Sequence, residues 1–482
     1  MPINGFLYPG AKFIPAYEVA NSLRLNDGDT PYLNKTYGSA GSRRTMTFSF
    51  WIKRSNLGAN QYPMSIYDSG TGYQADMRFA STDALRMYAT DTSGTPRLHL
   101  VTNRLFRDVS AWYHIVWQVD TTQATDSNRV KLYVNGVQET SFSTETYPPQ
   151  NTDLRWNGAS GSTGGVTQVG AIGGTSPVDG YMTEVVFIDG TAYDQTSFGE
   201  FDENSPTVWK PKDVSGLTFG TNGFYLDFEN SSALGNDVSG NDNDFTANNL
   251  AATDQSTDTC TNNFATMNPL DNSVSAGTFS EGSLKIAYSG SNGSGVPLTS
   301  TFAVTQGKWY FEVKLTSTND TGNAIGITDI NAHSNAAANR LGLSTYSYAI
   351  DDSNGKIYNN NDSGTSYGSS YAAGDIIGVY LDLDNNKLYF SENGTLGSST
   401  GHSITDPASV TNGHYFFAIG LNSGSGASTF ECNFGGTQTY SISSGVSDDN
   451  GYGNFEYSPN ITGDGAAKKF YALNSKNLAE FG

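Results

Sequence analysis

The chain has 482 residues, too many for one hydrophobic core, and this length predicts at least two domains. Its 26 Lys and Arg face 47 Asp and Glu, a net charge of −21 that would repel a phosphate backbone, so nucleic acid is excluded as an expected partner. No apolar run approaches the roughly 20 residues of a membrane helix, so membrane insertion is not expected. The 54 Gly, 28 Tyr and 26 Phe favour short strands and tight turns, which predicts an all-β fold.

The first predicted domain covers residues 45–200. Alternation of apolar and polar residues, bounded by Gly, Asn, Asp or Ser, predicts strands over 45–55, 84–90, 112–120, 129–140, 166–174 and 179–190. Between two of the runs, Asn135-Gly136 predicts a type I′ hairpin turn, because both central residues of that turn need positive φ. Short strands at even spacing indicate an antiparallel sandwich. Residues 1–44 are either a docking segment for a neighbouring subunit or, from about Asn21 onward, the first strand of this sandwich.

The rest of the chain divides into a connector, a second sandwich and a tail. Residues 201–275 are polar and predict the connector, in which "GFYLDF" is either a remnant repeat or a strand returned to the first sandwich. A second antiparallel sandwich is predicted for 276–440, with strands over 307–316, 323–329, 346–362, 374–394, 414–424 and 428–435. The aromatic residues of 441–482 predict a segment that packs on a neighbour or on a domain. The sequence leaves open whether Cys260 and Cys432 pair.

The most regular stretch is "GDIIGVYLDLDNNKLYFSENG", from Gly374 to Gly394. Apolar residues alternate through "IIGVYLDL", and the alternation resumes in "KLYF" after a polar break. This pattern predicts a β-hairpin whose role is structural.

Residues 45–195 resemble the laminin-G/concanavalin-like lectin sandwich. The resemblance rests on "FSFWIK", on "WYHIVWQVD" followed by "KLYVNG", and on a closing "DGYMTEVVFIDGTAYD", in that family's order. It implies two packed antiparallel sheets of jelly-roll type.

Residues 280–435 resemble the SPRY (B30.2-like) sandwich. The matching segments are "GKWYFEVKL", "IGITD", the hairpin from Gly374 to Gly394, and "YFFAIGL". The resemblance implies that the hairpin is framework, and that partners bind loops at one end of the sandwich.

The order of the two domains and the connector between them resembles virion proteins of tailed bacteriophages. That resemblance implies a structural protein on the tail or the capsid exterior, in contact with other virion proteins, and a homo-oligomer in which a trimer is favoured. The leading expectation is a tail-fibre or tail-associated adhesin that binds a host-surface glycan. A capsid decoration or spike protein and a polysaccharide depolymerase are the alternatives.

Residue patterns typical of catalysis are weak, and no enzymatic activity is expected. The five histidines lie more than ten residues apart, so no zinc motif is formed. "GTSYG" (364–368) matches the nucleophile-elbow pattern but lacks a following helix. A glycosidase in this fold needs two carboxylates, and no E-x-D-x-E strand joins the candidates Glu184, Asp189, Asp351, Asp352, Asp382 and Asp384.

Calcium is the one cofactor considered, because Asp, Asn and carbonyl oxygens are its preferred ligands. The turn "DVSGNDND" places four such residues close together, namely Asp237, Asn241, Asp242 and Asp244. A network of Asx turns is the alternative interpretation of the same segment.

A ligand surface is predicted in the loops of the second sandwich. Tyr, Asn and Asp crowd residues 346–371, and Tyr and Asn offer amphipathic contact area at small entropic cost. Alternating aromatic residues can equally belong to the core. The candidate ligand contacts are Tyr346, Tyr348, Asp351, Asp352, Tyr358, Asn359 and Tyr367.

Overall fold

The computed structural model describes residues 17–68, 70, 74–159, 165–272, 277–288, 297–318, 322–329, 340–360, 363–421, 427–462 and 467–482. Within these residues the chain forms two β-sandwiches in tandem, which confirms the predicted all-β class. No helix in this part of the chain is long and apolar enough to span a membrane.

Eighteen strands lie in the described part of residues 17–272. In chain order they are β1 Ser22–Leu25, β2 Tyr32–Lys35, β3 Thr45–Arg54, β4 Gln61–Tyr67, β5 Gln74–Phe79, β6 Ala84–Thr90, β7 Pro96–Leu105, β8 Tyr113–Asp120, β9 Val130–Val134, β10 Val137–Glu139, β11 Phe142–Thr146, β12 Val166–Val169, β13 Gly180–Asp189, β14 Gly199–Phe201, β15 Trp209–Pro211, β16 Phe224–Leu226, β17 Thr246–Asn248 and β18 Gln255–Ser256.

Seventeen strands lie in the described part of residues 277–482. They are β19 Gly277–Ser280, β20 Lys285–Tyr288, β21 Leu298–Val304, β22 Lys308–Thr318, β23 Asn323–Thr328, β24 Ser347–Asp351, β25 Lys356–Tyr358, β26 Thr365–Ser366, β27 Ile376–Asp382, β28 Lys387–Glu392, β29 Thr395–Leu396, β30 His402–Ser403, β31 Tyr415–Leu421, β32 Ser428–Asn433, β33 Asn460–Ile461, β34 Lys468–Lys469 and β35 Tyr471–Ala472.

Helical structure is sparse in the described residues. The α-helix α1 covers Ser475–Phe481. Short 3₁₀ turns lie at Asp27–Asp29, Asp126–Asn128, Gln195–Ser197, Ala252–Asp254, Pro269–Asp271 and Pro407–Ser409.

The first sandwich packs two antiparallel sheets face to face. Their strand orders are β10-β9-β8-β3-β13-β1-β18, with β16 also paired to β13, and β11-β7-β6-β5-β4-β12-β2-β17. Alternate residues of β3, Phe48, Phe50 and Ile52, enter the core together with Met77 and Met87 of the other sheet. The opposite face of β3 therefore points away from this core.

The first sandwich takes strands from both of its flanking segments. Ser22–Leu25 pairs with β13 and β18, so this part of the N-terminal region is a strand of the sandwich. From the predicted connector, β16 joins β13, β17 joins β2 and β18 joins β1. The strand expected in "GFYLDF" is therefore returned to the first sandwich.

The second sandwich has strand orders β19-β20-β32-β22-β27-β28-β29 and β21-β31-β23-β24-β25-β26. The expected hairpin is β27 and β28, in which Val379 lies opposite Phe390. Its closing turn has φ of 46° at Asn393 and 77° at Gly394, the positive values that an Asn-Gly turn adopts.

The C-terminal segment packs on the second sandwich of the same chain. β35 lies parallel to β22, and Phe470 and Leu473 are buried. The Asn474 side chain caps α1 by accepting the N–H of Asn477.

The two sandwiches share a polar interface centred on the buried Arg24. Its guanidinium pairs with Asp254 at 2.8 Å and with Glu281 at 2.6 Å, and it donates to the Gln438 carbonyl at 3.1 Å. The Tyr181 hydroxyl donates to the Gly282 carbonyl at 3.0 Å. Because these partners come from both halves of the chain, the interface orients one sandwich against the other.

Candidate binding cleft of the second sandwich

A cleft of about 190 Å³ lies between the segment at 367–371 and the end of the hairpin at 390–397. Its floor is apolar and is formed by Ile350, Tyr371, Ile377 and Phe390. Polar groups line its rim, among them Ser369, Glu392 and Thr395. An apolar floor with a few polar groups at the edge is the composition expected of a small-molecule site.

Tyr367 forms one wall of the cleft and is held rigidly. Its hydroxyl accepts the backbone N–H of Phe390 at 3.0 Å, and its ring meets the Phe390 ring edge-on at 5.8 Å. Gly397 lies against the Tyr367 ring, where a Cβ would come within 2.8 Å. Burial raises the pKa of Tyr367 to about 12, so the phenol stays neutral at physiological pH.

Glycine at position 355 positions the segment at 367–371. Gly355 has φ of 63°, and a Cβ there would lie 2.2 Å from the Ser369 carbonyl oxygen. The Gly368 N–H donates to the Gly355 carbonyl at 3.0 Å. The close approach of two backbones therefore sets the width of the cleft.

Glu392 supplies the acidic group at the rim. It is the last residue of β28 and lies opposite Thr395 in the short β29 pairing. Partial burial and the neighbouring Asp375 raise the pKa of Glu392. The carboxyl oxygens of Glu392 can accept hydrogen bonds from a hydroxyl-bearing ligand.

The ligand residues predicted from the sequence are not gathered at one site. The Asn359 amide donates to the Thr345 and Ser347 carbonyls at the start of β24. Asp351 and Asp352 lie at the opposite end of that strand. Of the predicted residues, Tyr367 lines the cleft.

Three of the predicted ligand residues are buried in framework contacts. The Tyr348 hydroxyl shares a hydrogen bond with Thr405, and the Asp352 carboxylate accepts the N–H groups of Gly322 and Asn323. Asp351 accepts the Ser353 N–H. Their side chains stabilise turns, so a ligand could reach only the partly exposed members of the set, Tyr346, Tyr358, Asn359 and Tyr367.

Sequence reasoning missed Phe390, Glu392, Thr395 and Gly397. Phe390 and Glu392 belong to the predicted hairpin, whose role the sequence indicates as framework alone, and Thr395 and Gly397 directly follow it. The signal available was the Asn393-Gly394 turn, which brings β29 back beside β28. Nothing in the alternation indicated that segment 367–371 would lie across from it.

The segment predicted to bind calcium forms an Asx-turn network, which was the alternative interpretation. The Asp237 carboxylate accepts the N–H groups of Tyr225, Ser239 and Asn243. The Asn241 amide donates to the Gly220 and Gly223 carbonyls.

Asp244, the fourth predicted calcium ligand, accepts the Asp237 N–H, and Asp242 has a positive φ of 55°. Hydrogen-bond donors already face the Asp237 oxygens, and a cation would have to displace these donors. No group of three or more His, Cys, Asp or Glu suited to a metal occurs among the described residues. Calcium binding stays a prediction.

A larger cavity of about 410 Å³ lies within residues 231–252, in the segment that the sequence predicts as the connector. Its lining combines Ala233, Leu234 and Leu250 with Ser231 and Asp244. Phe245 is the aromatic residue in its lining, whereas the smaller cleft is lined by Tyr367, Tyr371 and Phe390, so the smaller cleft is the better candidate for stacking on a ligand.

His114 and Glu184, two titratable groups of the first sandwich, are enclosed by hydrogen bonds. The His114 Nδ1 accepts the Trp209 indole N–H at 2.9 Å, so its Nε2–H faces the Ser49 hydroxyl at 2.8 Å. Burial lowers the pKa of His114 to about 3 and keeps the ring neutral.

Glu184 is buried at a strained position, with φ of 50° inside β13. The Tyr17 and Tyr225 hydroxyls donate to its carboxylate at 3.0 Å and 2.9 Å. Burial raises the pKa of Glu184 to about 7. Among the described residues, no second carboxylate is hydrogen-bonded to Glu184 or to these two tyrosines.

Two further sequence features considered for chemistry are the "GTSYG" segment and the pair of cysteines. Ser366 of "GTSYG" lies in the short strand β26 rather than at a strand-to-helix turn. Cys260 and Cys432 are both free thiols.

Charge is distributed unevenly between the two halves of the chain. Residues 1–200 contain 15 Lys and Arg against 18 Asp and Glu, whereas residues 201–482 contain 11 against 29. The net charges are therefore −3 and −18. The cleft lies in the strongly acidic half, which disfavours anionic ligands.

Comparisons with known proteins identify both domains. Residues 27–195 match the model of the concanavalin A-like lectin/glucanases superfamily, and residues 308–437 match the SPRY domain model. The chain contains a concanavalin-like domain followed by a SPRY domain. A search of curated proteins found no match.

Solved structures similar to parts of the chain include two SPRY domains and a pentraxin. The SPRY domain of human HERC1 is 14% identical, with 33% of this chain and 91% of that chain covered and a TM-score of 0.25. A human SPRY domain is 22% identical, with 31% and 91% covered and a TM-score of 0.23. The native heptameric SAP-like pentraxin from Limulus polyphemus is 15% identical, with 37% and 80% covered and a TM-score of 0.27.

Proposed function

We propose that this chain is a non-catalytic attachment protein of a tailed-phage virion and that its SPRY-domain cleft binds a host-surface glycan. The phage setting rests on the resemblance of the domain pair and its connector to such virion proteins. The binding role rests on the cleft beside Tyr367. In the particle the protein would contact other virion proteins as a homo-oligomer, with a trimer favoured.

The shape and lining of the cleft are the observation that carries the binding role. At about 190 Å³ it is smaller than the roughly 300–1,000 Å³ of sites for drug-sized ligands, and it suits a single sugar ring. Tyr367 and the apolar floor would contact the C–H face of the sugar, and Ser369 and Glu392 would bond its hydroxyls. Loops on a rigid sandwich supply this geometry without catalytic groups.

The negative charge around the cleft favours neutral sugars over acidic ones as its ligands. The half of the chain that holds the cleft has a net charge of −18, so acidic polysaccharides would be repelled. Neutral hexoses meet no such barrier. Binding should therefore change little with salt concentration.

A glycan array tests the proposal with two matched variants. Ser369→Trp places an indole at the cleft and should weaken binding by at least tenfold, equivalent to ~1.4 kcal/mol. Ser370→Trp adds the same side chain at a neighbouring exposed residue outside the lining and should bind like wild type. If Ser369→Trp binds as tightly as Ser370→Trp and wild type, the cleft is not the site.

The location of the chain in the particle tests the tail assignment. A cryo-EM reconstruction that shows copies only at the tail supports an adhesin, and copies over the capsid lattice would favour a decoration protein. The release of new reducing ends from host polysaccharide would contradict the non-catalytic assignment and favour a depolymerase.

A further inference from the structure

Lys53 is a buried amine on the outer face of the first sandwich. It lies in β3 on the face opposite the core, directly across from Tyr181 of β13. Residues 258–264, which follow β18, cover this face, and 1% of the Lys53 side chain is exposed. A buried amine needs hydrogen-bond acceptors, and here the covering segment must supply them.

Three acceptors surround the Lys53 amine, and all come from that segment. Its Nζ lies 2.8 Å from Asp258 Oδ2, 2.7 Å from Asn263 Oδ1 and 2.8 Å from the Phe264 carbonyl oxygen. Because a C=O bond is about 1.23 Å long, the Asn263 carbonyl carbon lies within about 4 Å of the amine nitrogen. The amine, the amide and the acid therefore meet at one point.

The Asp258 carboxyl is oriented toward the amine. Its Oδ1 accepts the Trp112 indole N–H and the Phe264 N–H, both at 3.2 Å, which leaves Oδ2 facing Lys53. Burial lowers the pKa of Lys53 and raises the pKa of Asp258. Both shifts favour a neutral amine beside a protonated acid, and a neutral amine is the nucleophilic form.

The Asn263 amide is held in a single orientation. Its Nδ2 donates to the Ser110 carbonyl at 2.7 Å, so its Oδ1 must point at Lys53. Aromatic side chains, those of Trp112 and Tyr181, are buried around the group and limit access of water. Such fixed proximity substitutes for a large entropic part of a condensation barrier.

We propose that Lys53 and Asn263 condense to an isopeptide bond, with Asp258 as the catalytic proton relay. The Lys53 Nζ attacks the Asn263 carbonyl carbon, and Asp258 transfers the amine proton to the departing Nδ2. The Nζ–Cγ bond forms, the Cγ–Nδ2 bond breaks, and one ammonia leaves. No oxidant, cofactor or metal takes part, and Asp258 ends in its starting protonation state.

The bond would join β3 covalently to the segment that connects the two sandwiches. Cys260 and Cys432 are free, so no disulfide serves this purpose among the described residues. An amide bond withstands reducing conditions and mechanical load. It would keep the SPRY domain attached to the first sandwich even when local structure opens.

Peptide mapping of the purified full-length protein is the direct test. The expected result is one branched peptide that contains both Lys53 and Asn263, and an intact mass lower than the sequence mass by one ammonia. Succinimide formation at an Asn-Gly pair such as Asn135-Gly136 also releases ammonia, so the branched peptide decides. Lys53 and Asn263 in separate unmodified peptides would overturn the proposal.

A cleavable version of the chain gives a second readout. A protease site inserted after Ser127, in an exposed turn, allows the chain to be cut between the two residues. The cut protein should migrate as one species on a denaturing gel. Two separated fragments would contradict the bond.

Variants assign the roles of the three residues. Lys53→Arg, Asn263→Ala and Asp258→Asn should each lose the branched peptide. Lys210→Arg is the matched control. Lys210 also pairs with an aspartate, Asp202, but no Asn or Gln amide is among its contacts in the described part of the chain. It should retain the cross-link. If Asp258→Asn also retains it, Asp258 is not the relay.

Discussion

Lys53 of the first sandwich and Glu312 of the second occupy comparable places but are matched in different ways. Each lies on a long central strand, β3 or β22, and each is covered by a later segment of the chain. The Lys53 amine meets one ionisable partner, the Asp258 carboxyl, and two neutral acceptors, the Asn263 amide and the Phe264 carbonyl. Glu312 instead accepts hydrogen bonds from five neutral donors, namely Tyr310, Asn433, Tyr440, Glu456 N–H and Tyr457 N–H.

The comparison shows that a buried ionisable group can be matched by neutral hydrogen-bond donors alone, as at Glu312, or with an ionisable partner among its contacts, as at Lys53. Glu312 has 0% exposure and no cation among its hydrogen-bond partners, yet five donors surround its two oxygens. A group held by many neutral donors should lose stability gradually as donors are removed. Removal of Lys53, the ionisable partner of Asp258, should instead cost most of the stabilisation in one step.

The largest expected effect follows removal of Lys53. In the Asn263→Ala background, which cannot form the proposed cross-link, Lys53→Met leaves Asp258 buried without its partner, which should lower the free energy of unfolding by about 3–5 kcal/mol. Denaturant unfolding followed by tryptophan fluorescence measures this, since five of the six Trp lie in residues 51–209.

The loss should be smaller at pH 5 than at pH 8, because a lone buried carboxyl is better tolerated when protonated. A loss below about 1 kcal/mol at pH 8 would mean that the buried Asp258 carboxyl does not depend on Lys53.

The next effect concerns Glu184, which has the neutral-donor arrangement inside the first sandwich. Its pKa is about 7 in the folded chain against an ordinary 4.5, so the folded state binds the proton more tightly. The resulting stabilisation is present below pH 4.5 and should fall by about 3 kcal/mol as the pH rises through 7. Glu184→Gln should remove this part of the pH dependence.

The control for Glu184 is Glu145→Gln, at an exposed carboxylate bonded to Tyr147. Its unfolding curve against pH should follow that of wild type. An unchanged slope in Glu184→Gln would show that Glu184 does not titrate in this range.

A moderate effect is expected for Glu312→Gln. The amide keeps one acceptor oxygen but directs an NH₂ group at hydrogen-bond donors, which should cost about 1–3 kcal/mol. Burial also raises the pKa of Glu312, so the wild-type protein should lose stability with rising pH and the variant should lose less. Calorimetric unfolding of both proteins at pH 5 and pH 8 checks both expectations.

The smallest effect is expected for Tyr440→Phe, which removes one of the five donors. The remaining four keep Glu312 satisfied, so the cost should be about 1–2 kcal/mol. Tyr288→Phe, which loses a bond to the neutral Ile419 carbonyl, is the matched comparison and should cost less. A cost for Tyr440→Phe as large as that for Glu312→Gln would mean that the donors act as a unit.

Local patterns predicted the strands well where a sheet has one buried face. Ala84–Thr90 matches its predicted strand, and the Asn135-Gly136 turn has the expected positive φ at both residues. The short strands β17 and β18 were missed, because two or three residues show no alternation.

The candidate site was predicted only in part. Tyr367 was found because Tyr-rich loops favour binding, whereas Tyr348, Asp351 and Asp352 proved to hold turns. The type of a side chain does not show whether its hydrogen-bond partner lies within the protein or would be a bound ligand. Glu392 was missed for the complementary reason, since it lies in a strand that reads as framework.

The sequence by itself determined the all-β class, the order of the two sandwiches and the hairpin from Gly374 to Gly394, because alternation and turn residues act over a few positions. Tertiary structure alone decided which distant residues meet. It placed Asp258 and Asn263 against Lys53, segment 367–371 against Phe390, and five donors around Glu312. These contacts join residues far apart in the chain, and they depend on sheet order and burial, which no local pattern encodes.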